Sequence, residues 1–191
     1  MKTIKTIAIL TITSLTILSS CKKGANDPFL SLHSRKARVA GDWTLKKADG
    51  TSTSGTSTTT SSFDGTTLTE TSAGVSTKST YSLKYKFDKK GTYTSTLIID
   101  TDTWDETGTW NFTSGIGKDK NKDHIIIKTL TSTHKYGSTT TTSTYTGDDA
   151  GTFGFYLDEL KNKTMVWKYD GSSTYSSGSK SSDMMTYTFA Q

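Results

Sequence analysis

An all-β fold, built as an antiparallel up-and-down meander behind one short helix, follows from three observations in this 191-residue sequence. Apolar and polar residues alternate with period two in segment after segment between residues 43 and 189, which places every second side chain on one face of a pleated strand. Nine Tyr, seven Phe and four Trp stand among abundant Thr, residue types that suit a half-buried pleated surface. A single Pro leaves strands uninterrupted, and 16 Gly supply turns.

The chain opens on a segment of a different kind. Lys2 and Lys5 precede an apolar stretch over residues 7–18, which is shorter than the roughly 20 apolar residues a membrane-spanning helix needs. It reads as the apolar part of an export signal covering residues 1–20. Leu18-Ser19-Ser20-Cys21 follows it, and Cys21 is the only cysteine, so no disulfide forms within one chain. Residues 21–26 form a polar tether, and residues 27–191 form one domain, long enough to bury a sizeable core. Loss of residues 1–20 removes two lysines and lowers the net charge from +5 to +3. Such a balance, with its charges interspersed, does not suggest a nucleic-acid partner.

Asp27-Pro28 reads as a helix start, with Asp as cap and Pro at the first helical position. Phe29, Leu32 and Val39 fall on one face of this helix, and Gly41 serves as its C-terminal cap. Arg35, Lys36 and Arg38 make the other face basic: a solvated surface, with a membrane-surface role as the alternative. Trp43 and Leu45 then begin the period-two pattern. Tyr81, Leu83, Tyr85 and Phe87 form the clearest strand, and Asp88 to Gly91 turn it into residues 92–99 as a hairpin. Strands recur around Trp110 and Phe112, Ile125 and Ile127, Phe153 to Leu157, Met165 to Tyr169, and Met185 to Phe189, with breaks at 115–123 and 158–163. The Ser/Thr-rich tracts 51–62, 138–146 and 172–182 are polar β-ribbons or mobile loops, and Thr propensity favours irregular strands.

Leu18-Ser19-Ser20-Cys21 resembles the bacterial lipobox, which implies diacylglycerol on the Cys21 thiol and cleavage before it. Gly41-Asp42-Trp43, after a short helix and at the first strand, resembles the Gly-x-Trp signature of lipocalins and of the lipocalin-like lipoproteins of Bacteroidetes. The resemblance covers the mature chain in layout and only about residues 27–45 in sequence. It implies that the meander closes into a barrel of about 8–10 strands, with Gly41 at a tight turn and Trp43 capping the closed end. It also implies an anchored envelope protein, in the outer membrane and facing the periplasm, because Lys22 and Lys23 differ from the acidic stretches linked to surface export. Secreted lipocalins stack a last-strand arginine on the signature tryptophan, whereas both arginines here, Arg35 and Arg38, precede the first strand. Gly108-Thr109-Trp110 repeats the spelling in mid-meander and reads as a strand start whose Trp110 is core.

Residue types needed for catalysis do not assemble in the sequence. His33, His124 and His134 lack metal-ligand spacing, with His124 a surface residue opening its strand. Asp100, Asp102, Asp105 and Glu106 offer oxygen ligands for calcium, but Trp104 stands where a third oxygen is wanted, so a charged hairpin turn is the better reading. Asp148-Asp149 is weaker still. No serine lies in a nucleophile elbow, and no cofactor motif is present. The expected function is therefore non-enzymatic: a closed barrel of about eight strands holds one small apolar ligand in its mouth. Inward candidates are Leu83, Tyr85 and Leu97, with the bulkier Phe87, Trp110, Phe155 and Trp167 as either pocket wall or solid core. A filled barrel would instead suit an envelope interaction protein that contacts protein or glycan through exposed Thr, Ser and Tyr.

Overall fold

The computed structural model describes residues 34–114, 123–147, 151–174 and 180–191. Cys21, the export signal, the tether, His33, the helix start at Asp27-Pro28 and the Asp148-Asp149 pair lie outside these residues. The described helix, α1, is Arg35–Val39, capped by Ser34, whose hydroxyl accepts from the Ala37 amide at 3.2 Å. Eleven strands follow: β1 (Gly41–Ser54), β2 (Ser57–Phe63), β3 (Thr67–Ser72), β4 (Val75–Phe87), β5 (Thr92–Ile99) and β6 (Asp102–Ser114). The second half holds β7 (Asp123–Tyr136), β8 (Thr139–Thr144), β9 (Thr152–Leu160), β10 (Thr164–Thr174) and β11 (Lys180–Ala190).

All pairings are antiparallel, and ten strands close into a barrel through the β6–β7 ladder, with β8 an extra strand on β7. This is the layout of a lipocalin-like barrel, within the strand number expected. The barrel is built differently at its two ends. At the base, β1 pairs directly with β4 over Gly41↔Phe87 to Thr44↔Lys84, so eight strands complete the ring. Higher up, β1 and β4 part to admit the β2–β3 hairpin. The hairpin's turn is fixed locally: the Asp64 carboxylate accepts from the Thr66 and Thr67 amides at 3.0 and 2.9 Å, which holds its pKa below the ordinary carboxylate range. Phe63 then packs edge-on against Tyr81 at 5.3 Å.

The base is solid. Trp43, Leu45, Met165, Leu157 and Phe189 are all at most 2% exposed, and Phe87 meets Trp110 edge-on at 5.4 Å. The basic face of α1 packs against this base, contrary to the solvated surface expected of it. Arg38 is 4% exposed and donates to the Leu160 carbonyl oxygen, and the Arg35 guanidinium lies 2.9 Å from the Asp123 carboxylate. Lys36 stays exposed but sits 5.7 Å from the centre of the Trp110 ring. A five-residue helix lying across a barrel end turns several sides toward protein, so charge alone does not mark its wet face.

Three further expectations are corrected. Gly108 is mid-strand, not a strand start: it sits at the β6–β7 bulge, where a Cβ would run into the Lys128 carbonyl and the Tyr93 ring. The break expected at 158–163 begins only at Lys161, because Asp158 continues β9 and pairs with Lys168 at 3.1 Å. His124 is half-buried, edge-on to Tyr156 at 4.2 Å. The Ser/Thr-rich tracts are mostly β-ribbon where they are described: residues 51–54, 57–62, 139–144, 172–174 and 180–182 are in strands, residues 55–56 and 138 are in turns, and 145–146 follow the end of β8.

Candidate ligand site in the barrel mouth

The inward face changes character above the base. Tyr85 and Trp167 meet at 5.3 Å, Trp167 and Phe189 at 4.7 Å, and Phe155 stacks on Trp167 at 4.9 Å, forming an aromatic floor. Over it lies a cavity of about 260 Å³, walled by Tyr81, Leu83, Leu97, Trp104 and Tyr187. A second space of about 450 Å³ adjoins it, sharing Tyr85, Glu106, Phe155 and Tyr187 and extending to Phe153 and Tyr169. This extension has a topological cause. On the β9 side β10 has ladder partners only up to Lys168, and β7 pairs with β9 only over residues 124–128. Between the upper half of β10 and β8 the described residues form no ladder, and Phe153 and Tyr169 flank that seam with 57% and 38% exposure.

Five of the expected inward residues, Leu83, Tyr85, Leu97, Phe155 and Trp167, line the first cavity. Phe87 and Trp110 lie beneath it in the packed base, where the Trp110 indole donates to the Asp88 carbonyl at 2.9 Å. Gly41 and Trp43 stand at the closed end. Gly41 has φ +144°, a backbone conformation that favours glycine, and Trp43 is 1% exposed.

Glu106 is the residue that sequence reasoning placed wrongly. The acidic run does not gather. Asp100 occupies a tight turn and accepts from the Thr80 amide at 2.8 Å, while Asp105 faces outward onto Lys135 at 2.8 Å. Asp102 shares the strand parity of Glu106 and lies 3.9 Å from His134, and of the run it is Glu106 that borders both spaces. Burial raises its pKa from the ordinary 4.5, opposed by the Ser95, Thr129 and Tyr93 hydroxyls. Ser95 Oγ lies 3.4 Å from Glu106 Oε2, and the Tyr93 and Thr129 hydroxyls bond each other at 2.8 Å. A signal was present: Trp104, Glu106, Gly108 and Trp110 share one strand parity, and the flanking tryptophans are inward residues.

The phenols around the cavity are held neutral. Burial pushes Tyr81 up to about 12 and raises Tyr85 and Tyr187 as well. Trp167 Nε1 is buried with no acceptor among the described residues, a donor whose desolvation costs about 1–3 kcal/mol when nothing bonds it. The site thus offers apolar area, aromatic rings and one carboxyl. Among the described residues no three His, Cys, Asp or Glu gather as metal ligands. No protein-family model, curated protein or solved structure matches the chain.

Proposed function

We propose that this protein is a lipid-anchored, lipocalin-like binding protein of the bacterial envelope that holds a small, largely apolar molecule in its barrel mouth. The observation that carries this reading is the division of the barrel interior: a base packed solid, then a cavity walled by Leu83, Leu97, Trp104 and Tyr187. A barrel that needed only stability would continue its packing upward, since unfilled apolar space forfeits contacts. The lipobox-like Leu18-Ser19-Ser20-Cys21 supports anchoring through Cys21, and Lys22 and Lys23 support a periplasm-facing outer-membrane site. The reading is one of retention: the groups that share the space with the carboxyl are apolar side chains, phenols and hydroxyls.

Native mass spectrometry of the full chain released from its own envelope tests this reading. The expected result is one small molecule retained per chain. A folded chain that carries nothing, and binds no apolar dye above the level of empty lipid nanodiscs, would favour an interaction protein working through its Ser/Thr-rich rim.

A further inference from the structure

We propose that the ligand of the mouth is an organic cation, an amphiphile whose ammonium group docks between the Glu106 carboxylate and the surrounding ring faces; this rests on the ligand-binding reading above. Three features of the site converge on that chemistry. Both spaces border Glu106, and among the described residues no Lys, Arg or His lines either of them; His134 stacks on Trp104 of the wall and lies 3.9 Å from Asp102. Among the described lining residues the carboxylate thus has no counter-ion, and its partners are hydroxyl groups: Ser95 and, less directly, Thr129 and Tyr93. A buried carboxylate without a cation bears a desolvation cost that a charged partner offsets.

The walls add a second attraction of the same sign. Tyr81, Tyr85, Trp104, Phe155 and Tyr187 line the space, and aromatic rings carry on their faces a negative quadrupole potential that attracts cations best where water is excluded. An anion would meet repulsion from Glu106 and from those faces. A neutral ligand would leave the carboxyl without a charged partner. The apolar remainder of the guest is accommodated by Leu83 and Leu97 on one side and by the space toward Phe153 on the other.

The test compares three short, water-soluble probes of matched length by titration calorimetry on the full chain in lipid nanodiscs, with empty nanodiscs as the blank. The probes are pentyltrimethylammonium, pentan-1-ol and hexanoate. The ammonium probe is expected to bind at least about tenfold more tightly than the other two, and Glu106→Gln is expected to bring it down to within about twofold of the alcohol measured on the same variant. Equal affinity for all three, or a cation preference that survives Glu106→Gln in a folded variant, overturns the proposal and leaves the binding protein standing. No binding of any probe removes both readings. If Glu106→Gln does not fold, the wild-type comparison decides alone.

Discussion

The indole N–H of Trp43 donates to the backbone carbonyl oxygen of Val39 at 2.7 Å, so the first strand is tied to the last turn of the helix that precedes it. Both residues are at most 1% exposed, and the bond joins the helix lying on the barrel base to the eight-strand ring itself. Trp43→Ala should cost about 3–5 kcal/mol, as large-to-small changes at buried aromatics do. Trp43→Phe keeps most of the packing but leaves the Val39 carbonyl without its donor, and should cost about 1–3 kcal/mol. Urea denaturation reads both, and an unchanged midpoint for Trp43→Ala would remove Trp43 from the closed end.

Gly108 supplies a second test at a different site. Its missing Cβ lets the β6–β7 bulge pass close to the Lys128 carbonyl and leaves room for the edge of the Tyr93 ring. Gly108→Ala should destabilise the barrel by about 1–3 kcal/mol, as overpacking does. A wild-type melting temperature in that variant would show that the ladder opens there at no cost.

Leu83 and Leu97 face each other across the β4–β5 ladder and both line the cavity. Leu83→Trp or Leu97→Phe should reduce apolar dye binding severalfold with little loss of stability, since the added atoms enter open space. Fluorescence titration beside thermal melting separates the outcomes. Destabilisation by about 1–3 kcal/mol with no change in dye binding would mean that these side chains are packed rather than pocket walls.

The pH dependence of stability should carry the mark of Glu106. Its neighbours are Tyr85 of β4, Tyr93 and Ser95 of β5, Thr129 of β7 and Tyr187 of β11, none of them basic. Because burial raises its pKa, the folded chain holds that proton more tightly than the unfolded chain does. Its contribution is therefore fully present below about 4.5 and is lost as pH rises through the raised folded value. Asp64 and Asp105, held below the carboxylate range by their hydrogen bonds, act in the opposite direction, but equally in both proteins. The stability difference between wild type and Glu106→Gln, measured in urea from pH 4 upward, should move in favour of the variant as pH rises. A flat difference would place Glu106 in water.

Cys21→Ser should move the chain from the membrane fraction to the soluble fraction and abolish incorporation of labelled fatty acid. Continued membrane association without lipid would defeat the anchoring proposal.

Much of the barrel was legible because its inward residues are large and alternate: Tyr81 to Phe87 states both a strand and its buried face. The β2–β3 hairpin and β8 were hard to read for the opposite reason. Their Thr and Ser side chains are exposed or half-buried without a run of apolar residues on one face, so no apolar parity marks them, and their order comes from backbone ladder bonds to the adjoining hairpin strands. Glu106 was masked by its acidic neighbours on a stretch that reads as a turn, although Trp104 and Trp110 share its parity. Burial of Arg35 and Arg38 has no sequence signal at all, since it depends on Asp123 and Leu160, which folding brings to the same end of the barrel.

In a closed sheet the number of strands sets the diameter, and this barrel counts eight at one end and ten at the other. On the β1–β4 side the calibre of the opening is thereby a local property of one hairpin, held by the Asp64 turn and the Phe63 contact rather than by the tryptophans below. The width of the barrel on that side and the packing of its base are set by different stretches of chain. Lengthening, shortening or recomposing residues 57–72 changes the one while the eight-strand base and its helix stay as they are.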